Sequence, residues 1–243
     1  ILLSGAGAFG APALRGWVTG AAFNPKGGFL LAVSGESEVT AFDPESLAAL
    51  FSLAAPGGEK INALVISPDG GTLVCAGDEG SVFAFSLPAG ELALNARAHR
   101  YPVKSAAFSP GGKYFATGSY GGEITVWDAA SLAPVKTILN EDECGEFVAF
   151  AASGAVAAAG GACRKIYLYE AETGRLTGSL GGHYAGVTAL AASPDGELLA
   201  SGDSAGLIVV HDTRRRKVKK SVRTGDWNIN AFAFSASSAP VLA

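Results

Sequence analysis

Two trios in this chain have the residue types and spacing that hydrolytic chemistry needs. His99 and His183 each stand 29 residues before an aspartate, Asp128 and Asp212, and each is followed 18 residues on by a hydroxyl, Thr117 and Ser201. In a hydrolase triad the imidazole takes the hydroxyl proton while a carboxylate orients the ring. Here the same trio recurs two units apart, with no nucleophile elbow and no further orienting group, so a structural role is expected for both copies and no catalytic residue is assigned. Three cysteines, Cys75, Cys144 and Cys163, are odd in number and lack Cys-x-x-Cys spacing, which argues against a disulfide framework and against a zinc site. Cys75 and Cys163 are expected to be packing residues. Cys144 sits in "NEDECGE", where acidic neighbours raise its thiol pKa and keep it unreactive. The string "GAGAFG" at 5–10 has no βαβ context for a dinucleotide. No metal and no cofactor is expected.

The elements that must position these residues repeat. Aligning "AAFNPKGG", "LVISPDGG", "AAFSPGGK", "VAFAASGA", "LAASPDGE" and "FAFSASSA" places Pro25, Pro68, Pro110, Ala152, Pro194 and Ala236 in one column, at steps of 43, 42, 42, 42 and 42. A second column, Asp43, Ser86, Asp128, Glu170 and Asp212, keeps the same steps of 43, 42, 42 and 42. Within a unit, "VKSAAF", "KYFATGS", "EITVWD" and "VKTI" are short β-branched and aromatic runs parted by turn residues, which predicts four strands per unit. Such a small sheet cannot bury both faces alone and must stack on its neighbours. The column Phe23, Ile66, Phe108, Phe150, Ala192, Phe234 supplies a large inward residue to nearly every first strand, each worth about 1.5–3 kcal/mol when fully buried.

Four-stranded units of this length, one of them closing on Trp127-Asp128, resemble the WD40-repeat family, and the resemblance covers essentially the whole chain. It implies an all-β propeller whose units end near 43, 86, 128, 170 and 212, with a partial unit over 213–243. Family propellers commonly close with seven blades, sometimes six, so five complete units and a partial one are expected to be a fragment of such a ring; closure by the N-terminal "ILLSG" as a third strand of a sixth blade is the other possibility. The resemblance also implies a structural hydrogen-bond network of His, hydroxyl, Asp and Trp. His99, Thr117 and Trp127 fit it in one unit, which closes on Asp128, and His183 and Ser201 in another, which closes on Asp212 and has His211 in the Trp slot. The Asp slot holds Glu36, Glu79, Gly121, Cys163 and Ala205, so no unit is expected to have a complete network.

Two groups remain for partners. Trp17, Lys60, Arg100, Tyr101, Tyr184 and Trp227 precede the first strands, in loops that reach the top rim in this family, and Tyr120 in a second-to-third turn should reach the same face. Exposed Trp, Tyr and Arg often carry interface energy, and the alternative is that each aromatic wedges between blades. The second group is "RRRKVKKSVR": Arg214, Arg215, Arg216, Lys217, Lys219, Lys220 and Arg223 carry +7, leaving −11 for the rest of a chain whose net charge is −4. This stripe suits a phosphate backbone, an anionic lipid or an acidic segment, or else keeps an edge strand soluble.

With 49% hydrophobic and 16% charged residues the chain is globular rather than disordered. Its longest uncharged run, 147–163, is mostly Ala and Gly and falls short of a membrane span. The sequence therefore predicts a non-catalytic intracellular scaffold for protein partners in a multiprotein complex. Nucleic-acid or anionic-lipid binding through 214–223, and a propeller hydrolase or lactonase with a central-channel site, are the alternatives.

Overall fold

A serine before three of the Pro-x-Gly turns reverses the first strand of a unit onto the second, and Asn24 stands in its place before Pro25. Ser67, Ser109 and Ser193 accept, on their hydroxyl oxygens, the N–H groups of Thr72, Tyr114 and Leu198 at 2.9, 3.0 and 2.9 Å. Gly112 sits in such a turn at φ 69°, which an L side chain rarely adopts. At the far end of the unit the terminal aspartate closes another turn: Asp128 Oδ1 accepts from the Ser131 N–H and hydroxyl, both at 2.8 Å, and Asp212 Oδ1 from the Arg215 N–H at 2.8 Å.

In the computed structural model, which describes residues 18–34, 37–140, 142–225 and 227–235, these turns build five antiparallel four-stranded sheets. Blade 1 comprises β1 (Gly20–Phe23), β2 (Leu30–Ser34), β3 (Glu38–Phe42) and β4 (Ala49–Ala54). Blade 2 comprises β5 (Ile61–Ile66), β6 (Thr72–Gly77), β7 (Ser81–Ser86) and β8 (Leu92–Arg97). Blade 3 comprises β9 (Val103–Phe108), β10 (Tyr114–Ser119), β11 (Glu123–Asp128) and β12 (Pro134–Leu139). Blade 4 has shorter strands, β13 (Phe147–Phe150), β14 (Val156–Ala159), β15 (Ile166–Tyr169) and β16 (Leu176–Leu180), and blade 5 has β17 (Val187–Ala192), β18 (Leu198–Asp203), β19 (Leu207–Asp212) and β20 (Lys217–Arg223). Each blade pairs its strands in chain order, and the third strands end within one residue of the expected column. Every fourth strand carries a bulge against the third, as where Trp127 pairs Pro134 but Val126 pairs Lys136. Bulges discourage strand addition at an outer edge.

The core lies between blades. One cluster joins Leu31 and Leu53 of blade 1 to Ile66 and Phe85 of blade 2, the next joins Val74 and Ala84 to Phe115 and Trp127, a third joins Ile124 and Ile138 to Phe150, and a fourth joins Leu168 and Leu180 to Leu199. Polar latches at the starts of the first strands bridge the same pairs of neighbours. Thr19 Oγ1, Asn62 Nδ2 and Ser105 Oγ donate to the carbonyls of Ile61, Val103 and Glu146 at 3.4, 3.1 and 2.7 Å. Thr188 Oγ1 likewise donates to Ile229 O at 2.6 Å, so the start of the sixth unit docks on blade 5 as each blade docks on its predecessor.

The column of large inward residues needs one correction. Ile66 and Phe150 are buried against the preceding blade, but Phe23 is 65% exposed. Its side chain points the same way, and among the described residues no blade precedes the first. The segments 1–17 and 236–243, including "ILLSG" and the Ala236 column position, lie outside the described residues. No helix among the described residues is long and apolar enough to cross a membrane.

The cysteines need a second correction. Cys144 and Cys163 pair as a disulfide, with their Cα atoms 5.8 Å apart, while Cys75 is free and buried. Their separation of 19 residues matches no cysteine motif; the blade brings together two loops whose proximity only the fold creates.

Candidate partner-binding face

The second-to-third turns and the connections leading into the first strands share one end of the blades, here the upper face. The buried trios lie just beneath it. In blade 3, His99 Nε2 is 2.7 Å from Thr117 Oγ1, and the Trp127 indole N–H donates to the same hydroxyl at 3.0 Å. No aspartate completes this set. Glu123 approaches His99 Nδ1 at 3.6 Å, an ion-pair distance too long for a hydrogen bond.

Blade 5 has the complementary arrangement. His183 Nε2 lies 2.7 Å from Ser201 Oγ, and His183 Nδ1 lies 3.0 Å from Asp203 Oδ2. Asp203 Oδ1 also accepts from the N–H groups of Ala205 and Leu207, both at 3.0 Å. The carboxylate therefore comes from Asp203, two residues before the Ala205 slot where the resemblance placed it. What blade 5 lacks is the indole: His211, in the Trp position, turns Nε2 to the Gly181 carbonyl at 2.8 Å instead. His–hydroxyl–Asp and His–hydroxyl–Trp are thus divided between two blades. Asp128 and Asp212 stay outside both networks, as turn closers.

The geometry of His183, Ser201 and Asp203 is that of a hydrolase triad with its orienting carboxylate in place. All three side chains are buried, and Ser201 also donates to Val209 O at 3.3 Å. A nucleophile must meet its substrate, and this hydroxyl is sealed inside a sheet.

Burial sets how these groups titrate. Burial pushes the Asp203 carboxyl up, but the N–H donors of Leu207, His183 and Ala205 outweigh it and hold the group below the usual carboxylate range. Burial pushes His99 down, only partly countered by Glu123, and pushes His211 down, only partly countered by the Gly181 carbonyl. In the unfolded chain both histidines protonate near pH 6.5, whereas in the fold they stay neutral to lower pH. The unfolded state therefore binds more protons in that window, and stability falls as pH drops from about 6.5 through the folded values, each group contributing at most about 1.4 kcal/mol per pH unit. Chemical denaturation between pH 7.5 and 5 should show this loss, with a shallower slope in His211→Phe than in wild type. An unchanged slope would remove His211 from the titrating set.

The expected partner residues separate by exposure. Tyr184 and Trp227 are 84% and 83% exposed among the described residues. Both flank the turn at 203–206: Ser204 N–H donates to Gly186 O at 3.0 Å, and a Cβ on Gly206 would lie 3.1 Å from Trp227 O. Tyr120 is 57% exposed. Tyr101, at 43%, packs its ring against Gly121, where a Cβ would fall 2.9 Å from the ring, and the Arg100 guanidinium lies 5.5 Å from the ring centroid. Lys60 is half-buried, with its carbonyl accepting from Asp78 N–H at 2.8 Å. Trp17 lies outside the described residues.

The basic stripe divides in the same way. Arg214 pairs with Glu197 at 2.8 Å, Arg215 with Asp212 at 3.5 Å, Arg216 donates to Thr177 O at 2.7 Å and Arg223 to Ala205 O at 3.4 Å. Lys217, Lys219 and Lys220 lie on β20, all seven of whose residues are exposed, with Lys219 as the extra residue of its bulge. Bulge and lysines together are a known protection of an outer edge.

Comparison with known proteins fits this architecture. The profile of the WD domain, G-beta repeat family matches residues 49–86, 90–128 and 174–212. Three of its repeats are WD40 repeats. Each matched WD40 repeat opens on the fourth strand of one blade and closes on the third strand of the next, so the sequence repeat itself staples neighbouring blades. The first three strands of blade 4, which are short and carry no His–hydroxyl pair, fall between matches.

Among similar WD40-repeat chains, a Periodic tryptophan protein 2 homolog of Dictyostelium discoideum is 31% identical over 147 residues, covering 58% of this chain and 16% of that one. Meiotic recombination protein rec14 of Schizosaccharomyces pombe is 28% identical over 155 residues, 63% of this chain and 51% of that protein. Serine-threonine kinase receptor-associated protein of Rattus norvegicus is 27% identical over 125 residues, 50% and 35%. The chain thus spans about half, or much less, of the length of these relatives.

Proposed function

We propose that this WD40 chain is a non-catalytic intracellular scaffold that binds protein partners through its upper face within a multiprotein complex. The observation that carries this reading is the pair Tyr184 and Trp227, large aromatic side chains left in solvent on either side of one turn while the hydrolase-like trio beneath is sealed. Such side chains combine apolar area with a polar handle and are enriched among residues that dominate interfaces. The names of similar proteins, which include a receptor-associated protein and a recombination protein, support a role beside partners rather than on a small substrate.

Affinity purification of the full-length protein, wild type against Tyr101→Ala/Tyr184→Ala/Trp227→Ala, tests it. The triple variant should keep its Tm within a few degrees, because exposed substitutions change stability by about 0.5 kcal/mol or less each. It should lose co-purifying proteins by tenfold or more, the effect of about 1.4 kcal/mol at an interface. An unchanged set of partners on a folded variant rejects the upper face.

A further inference from the structure

In blades 2, 3 and 5 one backbone hydrogen bond fastens the second-to-third turn to the connection entering the first strand. Asp78 N–H donates to Lys60 O at 2.8 Å, Tyr120 N–H to Pro102 O at 2.9 Å, and Ser204 N–H to Gly186 O at 3.0 Å. Side chains reinforce the same junction differently in each: Glu59 Oε1 accepts from Glu79 N–H at 2.6 Å in blade 2, the Tyr101 ring covers Gly121 in blade 3, and His183 meets Asp203 in blade 5.

Blade 4 departs from this. The position of Tyr120 and Ser204 is Ala162, and the position of Pro102 and Gly186 is Cys144, yet no hydrogen bond joins them among the described residues. The turn closes on itself, Cys163 N–H donating to Gly160 O at 3.1 Å, as Gly122 N–H does to Ser119 O and Gly206 N–H to Asp203 O, both at 3.2 Å, in blades 3 and 5. The His and hydroxyl slots hold Glu141 and Ala159 in place of a His–hydroxyl pair. At this junction the Cys144–Cys163 disulfide joins the two segments.

We propose that Cys144 and Cys163 are a reversible thiol–disulfide modification site that fastens the upper loops of blade 4, replacing with a redox-dependent bond the hydrogen bond that the other blades make. Cys144 is fully buried and Cys163 half-buried, so an external thiolate attacks Cys163 Sγ. The S–S bond breaks, Cys163 becomes a mixed disulfide, and Cys144 leaves as a thiolate that takes a proton from water. A second thiol of the reductant then displaces Cys163 and carries away the new disulfide, so two electrons and two protons have entered the protein. Reduction frees the acidic loop at 142–146 and the turn at 160–165. The latter also holds blade 5, through Val187 N–H to Cys163 O at 3.0 Å. This inference is independent of which face binds partners.

The test uses the full chain in oxidised glutathione, then in dithiothreitol, with alkylation after denaturation and mass analysis. One alkylated cysteine is expected under oxidation and three under reduction. Cys75 provides the control: it has no disulfide partner, so it is the one cysteine alkylated after denaturation in both samples. On reduction, amide exchange over 142–146 and 160–165 should speed by about tenfold or more, with the blade 3 turn at 118–122 unchanged. Cys144→Ser/Cys163→Ser should show the fast exchange in both buffers; if that variant does not fold, reduction of the wild type decides. Three free thiols in oxidised glutathione, or exchange that reduction leaves unaltered, would overturn the proposal.

Discussion

Asp203→Ala is expected to lower stability by about 3–5 kcal/mol, because three buried donors lose their shared acceptor. The carboxylate is buried and accepts from three donors: His183 Nδ1–H, Ala205 N–H and Leu207 N–H. Deleting it leaves all three facing a cavity, and each unsatisfied buried group costs about 1–3 kcal/mol. Asp203→Asn should cost less. Its amide oxygen can still accept from the two backbone donors, and His183 can move its proton to Nε2 and donate to Ser201, whose hydroxyl then turns its proton to Val209 O. Glu123→Ala in blade 3 is the contrast, since a contact at 3.6 Å to a partly exposed carboxylate is worth about 1 kcal/mol or less. Urea denaturation midpoints of the three variants check the order Asp203→Ala, Asp203→Asn, Glu123→Ala. Equal losses for Asp203→Ala and Glu123→Ala would mean that the blade 5 carboxylate is no structural keystone.

That residue also marks where the sequence stopped being readable. The period was legible because each unit repeats its turn chemistry in fixed columns, and those columns report the backbone directly: Pro and Gly where a strand reverses, Asp where the third strand ends. The third strand of blade 3 ends at Asp128, as its column requires. The hydrogen-bond networks were only half legible, because a side chain can reach the same point in space from two neighbouring columns. Asp203 does so from the end of β18, and a signal was present: a unit that retains His183 and Ser201 needs an acceptor for the second ring nitrogen, and Asp203 is the carboxylate beside them. The disulfide was hidden for a related reason. Cys144 and Cys163 belong to different loops of one unit, and only the junction of those loops in a sister blade, where Tyr101 beside the Cys144 column covers Gly121 in the Cys163 column, brings them together. Phe23 marks a further limit, since burial of its column depends on a neighbouring blade and not on the unit that carries it.

Phe115→Ala should cost about 3–5 kcal/mol, the usual range for truncating a buried aromatic. The ring is fully buried on β10 and continues a cross-strand row, 5.5 Å from Phe108 at 47° and 5.5 Å from Trp127 at 2°. On its other side stand Val74, Ala76, Val82 and Ala84 of blade 2, small side chains on regular strands that cannot collapse into the vacated volume. The loss therefore includes both the transfer of the ring from water and the cavity left behind. In a domain of this size each kcal/mol moves Tm by about 2–4 °C, so a fall on the order of 10 °C is expected. Phe115→Leu keeps much of the apolar volume but loses ring stacking worth about 0.5–1.5 kcal/mol, and should fall between the two. Phe23→Ala, in the same kind of repeat but exposed, should change stability by about 0.5 kcal/mol or less. The comparison isolates the interface between blades, because Phe23 and Phe115 are equally apolar and both lie on strands. If thermal melts gave the two alanine variants the same loss, packing within each blade rather than between blades would be the main source of stability, and the radial stacking that positions the upper face would not be what holds it there.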